Sequence, residues 1–139
     1  MQSKSVTNSS DKDVLHLYEY AVVRYIPSIE RGERLNIGLI MMCKRLRWIR
    51  ARFDINLERL SALYPSADIV PLNNQLTGFE LVAKGDVRNG GVIAQLEPHE
   101  RFRWLTAVRS ACIQTSRPHT GLTHDLDKTF DNLFASLVL

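Results

Sequence analysis

Two polar segments of the sequence carry residue types that could bind an anion or accept a proton. The first, residues 30–38, is a charged hairpin sequence that leads into an apolar strand containing Asn36 and Gly38. The second, residues 101–121, combines arginines with hydroxyl residues and a glycine. Arginine presents a planar fork of N–H donors that grips a carboxylate or a phosphate at two points. We therefore take these side chains as candidate ligand- or partner-binding residues: Glu33, Asn36, Arg101, Arg103, Arg109, Ser110 and His119.

The same residues also allow a structural interpretation, in which they only stabilise the fold. An asparagine in an apolar strand can satisfy the backbone of a turn. The arginines of the second segment can bind a buried carboxylate such as Glu33. Because a buried charge needs a partner, we expect Glu33 to meet at least one arginine of the second segment: Arg101, Arg103 or Arg109.

A catalytic site built from the same groups is the alternative to a binding face. Glu33 or His119 would then act as general base. Arg109 would stabilise a phosphate-like charge, and Ser110 would donate a hydrogen bond. We rank this enzyme below a non-enzymatic accessory or interaction protein that binds a protein or a phosphate-like anion.

The sequence lacks the motifs of common cofactor and metal sites. It contains no glycine-rich phosphate loop, no zinc-protease motif and no serine-hydrolase motif. His119 and His124 alone do not supply the three or four ligands that a metal ion requires. We expect no cofactor and no metal. We expect Cys43 and Cys112 to be small buried residues rather than a disulfide.

The charge of the chain is modest but uneven. Of its 18 basic residues thirteen are Arg and five are Lys, and the net charge is +3. Grouped arginines indicate an anionic or acidic partner, although a solvated face would also carry them. A nucleic-acid surface around Trp48 and the nearby Arg47, Arg50 and Arg52 is a third alternative. The low net charge argues against it, since nucleic-acid-binding domains are usually strongly basic.

The spacing of apolar residues predicts the elements that must position these side chains. A period of two predicts strands over 17–26, 35–43 and 47–53, which form an antiparallel meander. Helical spacing follows, with caps at Asp54, at Asp68 and at Thr123 or Asp125. Further short strands are predicted at 92–96 and 111–116. The fold class is α+β, a mainly antiparallel sheet with helices packed on one face.

The organisation predicted is a disordered tail over 1–13 followed by a single domain over 14–139. The start of the chain has no apolar stretch of the kind found in secretory signals. No apolar run approaches the roughly 18 residues that a membrane span needs. We therefore expect a cytoplasmic protein that does not contact a membrane.

Three stretches of sequence together resemble a bacterial family. They are Tyr18 to Pro27, Arg31 to Gly38, and the second polar segment with Arg101-Phe102-Arg103-Trp104, Arg109-Ser110, Gln114 and His119-Thr120-Gly121. The combination resembles the domain of unknown function numbered 3037, over nearly the whole chain after residue 13. The resemblance implies no activity. It implies an accessory role, because genes of this family often lie beside genes for kinases that resemble the HipA toxin kinase.

Overall fold

The computed structural model describes residues 14–27, 30–107 and 112–139. Within these residues the elements in chain order are β1 (His16–Tyr25), β2 (Leu35–Cys43), β3 (Trp48–Phe53), α1 (Leu57–Leu63), α2 (Ile69–Lys84), α3 (Pro98–Leu105), β4 (Ile113–Thr115), β5 (His119–Thr123) and α4 (Leu126–Leu137). The tail predicted for residues 1–13 lies outside the described residues. So do Arg109 and Ser110.

The five strands form one antiparallel sheet with β1 at its centre. The order is β3-β2-β1-β4, and β5 pairs with the other half of the same edge of β1. The first three strands follow one another as a meander, so the α+β class and the antiparallel meander are confirmed. β1 is ten residues long, which is enough to pair with β4 near its end and with β5 near its start.

Helices cover both faces of the sheet, whereas the sequence predicted helices on one face. On the first face, α2 and α3 pack on a core that includes Ala21, Val23 and Ile40. On the second face, α4 packs on Leu39, Met41 and Cys43. The physical reason is that β2 is apolar on both of its faces, so each face needs a covering layer. Three apolar residues of α4 are buried on this second face, Leu126, Phe130 and Phe134, and Leu133 and Leu137 are half-buried beside them.

A β-bulge interrupts the pairing of β1 with β2. The register shifts between Val23, which pairs with Gly38, and Arg24, which pairs with Asn36. The extra residue, Ile37, has no partner of its own in the ladder. A bulge of this kind redirects the side chains that follow it. Here it places Arg24 beside Asn36 at the end of the sheet.

Two of the helices begin at the capping residues predicted from the sequence, and one begins at a different capping residue. The side chain of Asp68 accepts a hydrogen bond at the start of α2, and Asp125 does so at the start of α4. α1 is capped by Asn56, not by Asp54 as predicted. Gly85 ends α2 in the left-handed conformation, with φ 73°.

Two short segments differ from their predicted structure. Val92–Gln95 forms a 3-10 helix instead of a strand, and it packs against the helices α2 and α3 rather than beside a strand to which it could form a ladder. His119–Thr123 forms β5, a strand that was not among those predicted. Cys43 is buried and Cys112 is half-buried, and both are free thiols. Over the described ranges, none of the helices combines the length and the apolar character that crossing a bilayer requires.

Candidate anion-binding site

Two arginines line a small cavity at the end of the sheet, beside the bulge. Arg24 lies on β1 and Arg34 lies just before β2. The cavity has a volume of about 230 Å³. We call it the anion pocket and define it by the residues that line it: Arg24, Ile26, Gly32, Arg34, Gln114 and Thr115.

A chain of hydrogen bonds fixes the orientation of Arg24. Its Nε donates to Oδ1 of Asn36 at 3.4 Å. Nδ2 of Asn36 in turn donates to the carbonyl oxygen of Leu137, at the last turn of α4, at 3.0 Å. Helix carbonyls at this end lack partners within the helix, so Asn36 satisfies one of them and is oriented by it. Asn36 therefore links the C-terminus of α4 to the guanidinium of Arg24.

The two arginines carry positive charge that no carboxylate neutralises within the described ranges. Neither Arg24 nor Arg34 makes an ion pair with residues 14–27, 30–107 or 112–139. The terminal nitrogens of Arg24 also make no hydrogen bond to this part of the chain. Burial, and then the charge of Arg34, holds the pKa of Arg24 below its usual value. Both burial and the neighbouring charge destabilise the protonated guanidinium of Arg24. An anion bound in the cavity would offset this destabilisation.

The lining chemistry suits binding and not proton transfer. A guanidinium offers donors in a planar fork and stays protonated at all physiological pH values. The other groups that line the anion pocket are a glycine, an isoleucine, a threonine and an amide. None of these groups titrates near neutral pH, so none of the lining residues that the structure describes suits the role of general base.

Glu33 does not meet the arginines of the second polar segment that the structure describes. Its carboxylate pairs with Nε of Arg31 at 2.7 Å, in the turn before β2. The expected contact is therefore wrong for Arg101 and Arg103, because a neighbour in the same turn supplies the positive charge. For Arg109, which lies outside the described residues, that contact remains a prediction.

Arg101 makes structural contacts inside the protein. Its two terminal nitrogens donate to the carbonyl oxygens of Leu96, at 2.7 Å, and of Ala83, at 3.4 Å. The Ala83 carbonyl belongs to the last turn of α2, where a cation interacts favourably with the helix dipole. Burial lowers the pKa of Arg101. Arg101 therefore ties the end of α2 to the segment that leads into α3.

Arg103 and His119 lie away from the anion pocket. Arg103 is 62% exposed and lies 3.6 Å from the carboxylate of Glu19, on the opposite face of the sheet from Arg24. His119 packs against Tyr20, with ring centroids 5.2 Å apart. Four residues of strand separate Tyr20 from Arg24, which is about 13 Å. Of the seven predicted residues, Asn36 lies next to the anion pocket. It does not line the cavity itself, and it contacts the lining residue Arg24 by a hydrogen bond.

The catalytic arrangement considered from the sequence is not assembled by the described residues. Glu33 lies beyond Leu35, which pairs with Tyr25, and His119 pairs with Tyr20. Tyr20 and Tyr25 are five positions apart on β1, which corresponds to about 16 Å. The two candidate bases therefore belong to different ends of the sheet.

The arginines of the nucleic-acid alternative are held by carboxylates. Arg47 donates two hydrogen bonds to Glu97, one of them at 2.8 Å. Two residues of β3 pair with acidic residues of α4, Arg50 with Asp127 and Arg52 with Asp131. The guanidiniums of Arg50 and Arg52 also lie over the ring of Phe130. These contacts give the three arginines a role in attaching helices to the sheet.

Sequence reasoning missed Arg24 and Arg34 as members of a site. The signal that could have found them is the spacing of Arg34 and Asn36, which are two apart where extended chain enters a strand and which therefore tend to lie on one face. Pairing that strand with β1 as a hairpin would have brought Arg24 close to both. Gln114 belongs to the second polar segment, so the pocket joins parts of all three stretches that carry the resemblance.

Comparison with known proteins identifies a family but no characterised relative. Neither the curated proteins nor the solved structures contain a match to this chain. The model of one family, described as a protein of unknown function (DUF3037), matches residues 20–138. That match covers the sheet except for the first four residues of β1, the helices α1 to α4, and the residues that line the anion pocket. The chain therefore belongs to the family of proteins of unknown function DUF3037.

Proposed function

We propose that this protein is a non-enzymatic binding protein that recognises an anionic group, a phosphate or a carboxylate, in the anion pocket. The observation that carries the proposal is the pair Arg24 and Arg34. They line one cavity, and neither has a carboxylate partner in the part of the chain that the structure describes. An anion held by both forks would form several charge-assisted hydrogen bonds, which are stronger than neutral ones.

The contrast with the other arginines supports this interpretation. Arg47, Arg50 and Arg52 are neutralised by carboxylates of the same chain, and Arg101 donates to helix carbonyls. These four arginines therefore contact other parts of the same chain, and a role in stabilising the fold accounts for them. For Arg34 no such contact exists among the described residues. A positive charge placed beside another without a partner is typical of a site for an external anion.

The proposal is tested by titrating the full chain with inorganic phosphate, sulfate and acetate at constant ionic strength, and following backbone amide shifts by NMR. We expect the shifts to concentrate at Gly32, Gln114 and Thr115. Arg34→Gln should weaken binding at least about tenfold, the loss expected for one charge-assisted contact. The matched control is Arg59→Gln, which removes the same charge from an exposed position on α1.

Two results would contradict the proposed function. One is equal anion affinity in wild type and Arg34→Gln. The other is a set of shifts that spreads over all basic surfaces and is also lost in Arg59→Gln, since that pattern reports unspecific screening. A preference for phosphate and sulfate over acetate would identify a doubly charged ligand as the better match to two guanidiniums.

A further inference from the structure

A second cavity lies directly beside the anion pocket and is apolar. It has a volume of about 390 Å³ and is bounded by α2, α3 and β4. We call it the apolar groove and define it by six of its lining residues: Gly78, Phe79, Val82, Trp104, Leu105 and Ile113. An apolar groove of this size can hold an alkyl chain or a ring of a small ligand.

The two cavities share a wall. Gln114 and Thr115 of β4 line both of them. Successive residues of a strand point to opposite faces, and here Gln114 pairs with Arg24 while Thr115 pairs with Val23. β4 therefore stands between a positively charged cavity on one face of the sheet and an apolar one on the other. A single molecule that bends around β4, from one face of the sheet to the other, could occupy both.

Gly78 keeps the apolar groove open. It lies in the middle of α2, where glycine destabilises a helix by about 1 kcal/mol relative to alanine. Close packing against the described residues does not require it, because a Cβ added there would meet none of their atoms within 4 Å, apart from the chain neighbours and the backbone of α2 itself. Gly38 and Gly90 are different, since a Cβ at either would lie within 3 Å of neighbouring atoms. The open space in front of Gly78 therefore belongs to the apolar groove, and it is not needed for another element to pack closely against α2.

We infer that the ligand of this site is a small amphiphilic anion, whose charged group is held by Arg24 and Arg34 and whose apolar chain lies in the groove beside Gly78. This inference rests on the proposed function and adds the class of ligand. It follows from the shared wall formed by Gln114 and Thr115, which brings the two kinds of surface within reach of one molecule.

The test measures the affinity of the full chain for inorganic phosphate and for methyl, butyl and hexyl phosphate, each below its micelle-forming concentration. We expect the affinity to rise with chain length once the chain reaches the groove, by up to roughly fourfold for each methylene that is buried. The variant Gly78→Leu fills the groove and also favours the helix, so it should fold. It should bind inorganic phosphate as wild type does, but without the gain from longer chains.

The outcomes separate this inference from the proposed function. If wild type binds all four phosphates equally, the amphiphilic ligand is wrong and the anion pocket stands. If the gain with chain length survives in Gly78→Leu, the chain binds elsewhere and the inference is overturned. If wild type binds none of the four and no other anion, the proposed function itself fails. Arg34→Gln should weaken binding of every member by a similar factor, whereas an effect on inorganic phosphate alone would contradict a shared site.

Discussion

Val22 and Ser116 form two hydrogen bonds with each other, and only one of them joins backbone to backbone. The amide of Ser116 donates to the carbonyl oxygen of Val22 at 2.8 Å. The amide of Val22 donates to the hydroxyl Oγ of Ser116 at 2.9 Å. The hydroxyl takes the place of a carbonyl where β4 passes into β5. Three residues connect those strands opposite two residues of β1, so the ladder cannot continue regularly there.

Ser116→Ala should therefore destabilise the protein more than a surface substitution does. It leaves the buried amide of Val22 without an acceptor, which costs about 1–3 kcal/mol of unfolding free energy. Chemical denaturation followed by circular dichroism measures the difference. Ser116→Thr retains an oxygen at the same position and is the control. A loss of equal size in both variants would show that side-chain volume, and not the hydrogen bond, determines stability here.

Substitutions of Arg101 and Arg34 should have different effects, the first on the stability of the fold and the second on anion binding. Arg101→Lys keeps the charge but cannot reach both the Leu96 and Ala83 carbonyl oxygens, so its melting temperature should fall, consistent with a loss of about 1–3 kcal/mol. Its affinity for inorganic phosphate should remain that of wild type. Arg34→Gln should show the reverse pattern. The prediction is wrong if Arg101→Lys loses phosphate affinity while keeping its melting temperature.

Two glycine-to-alanine substitutions should have opposite effects on stability. In Gly38→Ala the new Cβ would overlap the ring of Phe53 and lie 2.9 Å from the carbonyl oxygen of Arg52. Forced shifts of this kind in a packed core cost about 1–3 kcal/mol. In Gly78→Ala the Cβ enters open space, and helix propensity should raise stability by up to about 1 kcal/mol. Thermal unfolding of both variants beside wild type gives the comparison, and a change of the same sign in both would contradict it.

The contact between Arg47 and Glu97 should make stability depend on pH in the acid range. Hydrogen bonds from Arg47 hold the pKa of Glu97 below its ordinary value of 4.5. A lowered carboxyl pKa contributes stability above the ordinary value, and the contribution is lost as pH falls through the lowered one. Glu97→Gln should thus melt below wild type at pH 7, by a small amount because the pair is exposed.

The same difference should shrink as the pH falls through the lowered pKa of Glu97, because Glu97 then becomes protonated in wild type as well. Arg47→Gln serves as the matched variant, and the double variant should melt no lower than either single variant, because both remove one interaction. A difference between wild type and Glu97→Gln that stays constant from pH 7 down to the acid limit of folding would exclude this origin.

The first three strands were predictable because their pattern is local. Leu39, Ile40 and Met41 are apolar on both faces, and that pattern indicates a central strand without knowledge of its neighbours. β5 was not predictable in the same way, because its polar residues and Gly121 do not favour a strand. It is a strand because β1 offers it a free edge and because the ring of Tyr18 covers Gly121. Both partners are about a hundred residues away in the sequence.

The sequence led us to expect an anion site, but it did not indicate which residues line the cavity that the structure describes. The arginine-rich composition and the polar Asn36 indicated an anion site. Which arginines would be free depended on contacts between distant elements, such as Arg52 with Asp131. The position of Arg24 depended on a bulge of one residue, for which the apolar alternation around Ile37 carries no local signal. Distant pairing therefore separated the structural arginines from those at the pocket.

The central position of β1 has a consequence for synthesis of the chain on the ribosome. β1, β2 and β3 are complete once residue 53 has been made, but the strands that pair with the second edge of β1 in the described part of the chain are β4 and β5. Ser116 follows Val22 by 94 residues. Until β4 and β5 have been made, the edge of β1 lacks these partners, and unpaired strand edges are templates for association between chains. A nascent chain halted before residue 113 should therefore need protection by a chaperone. Once β4 and β5 have been synthesised and pair with β1, that protection should no longer be needed.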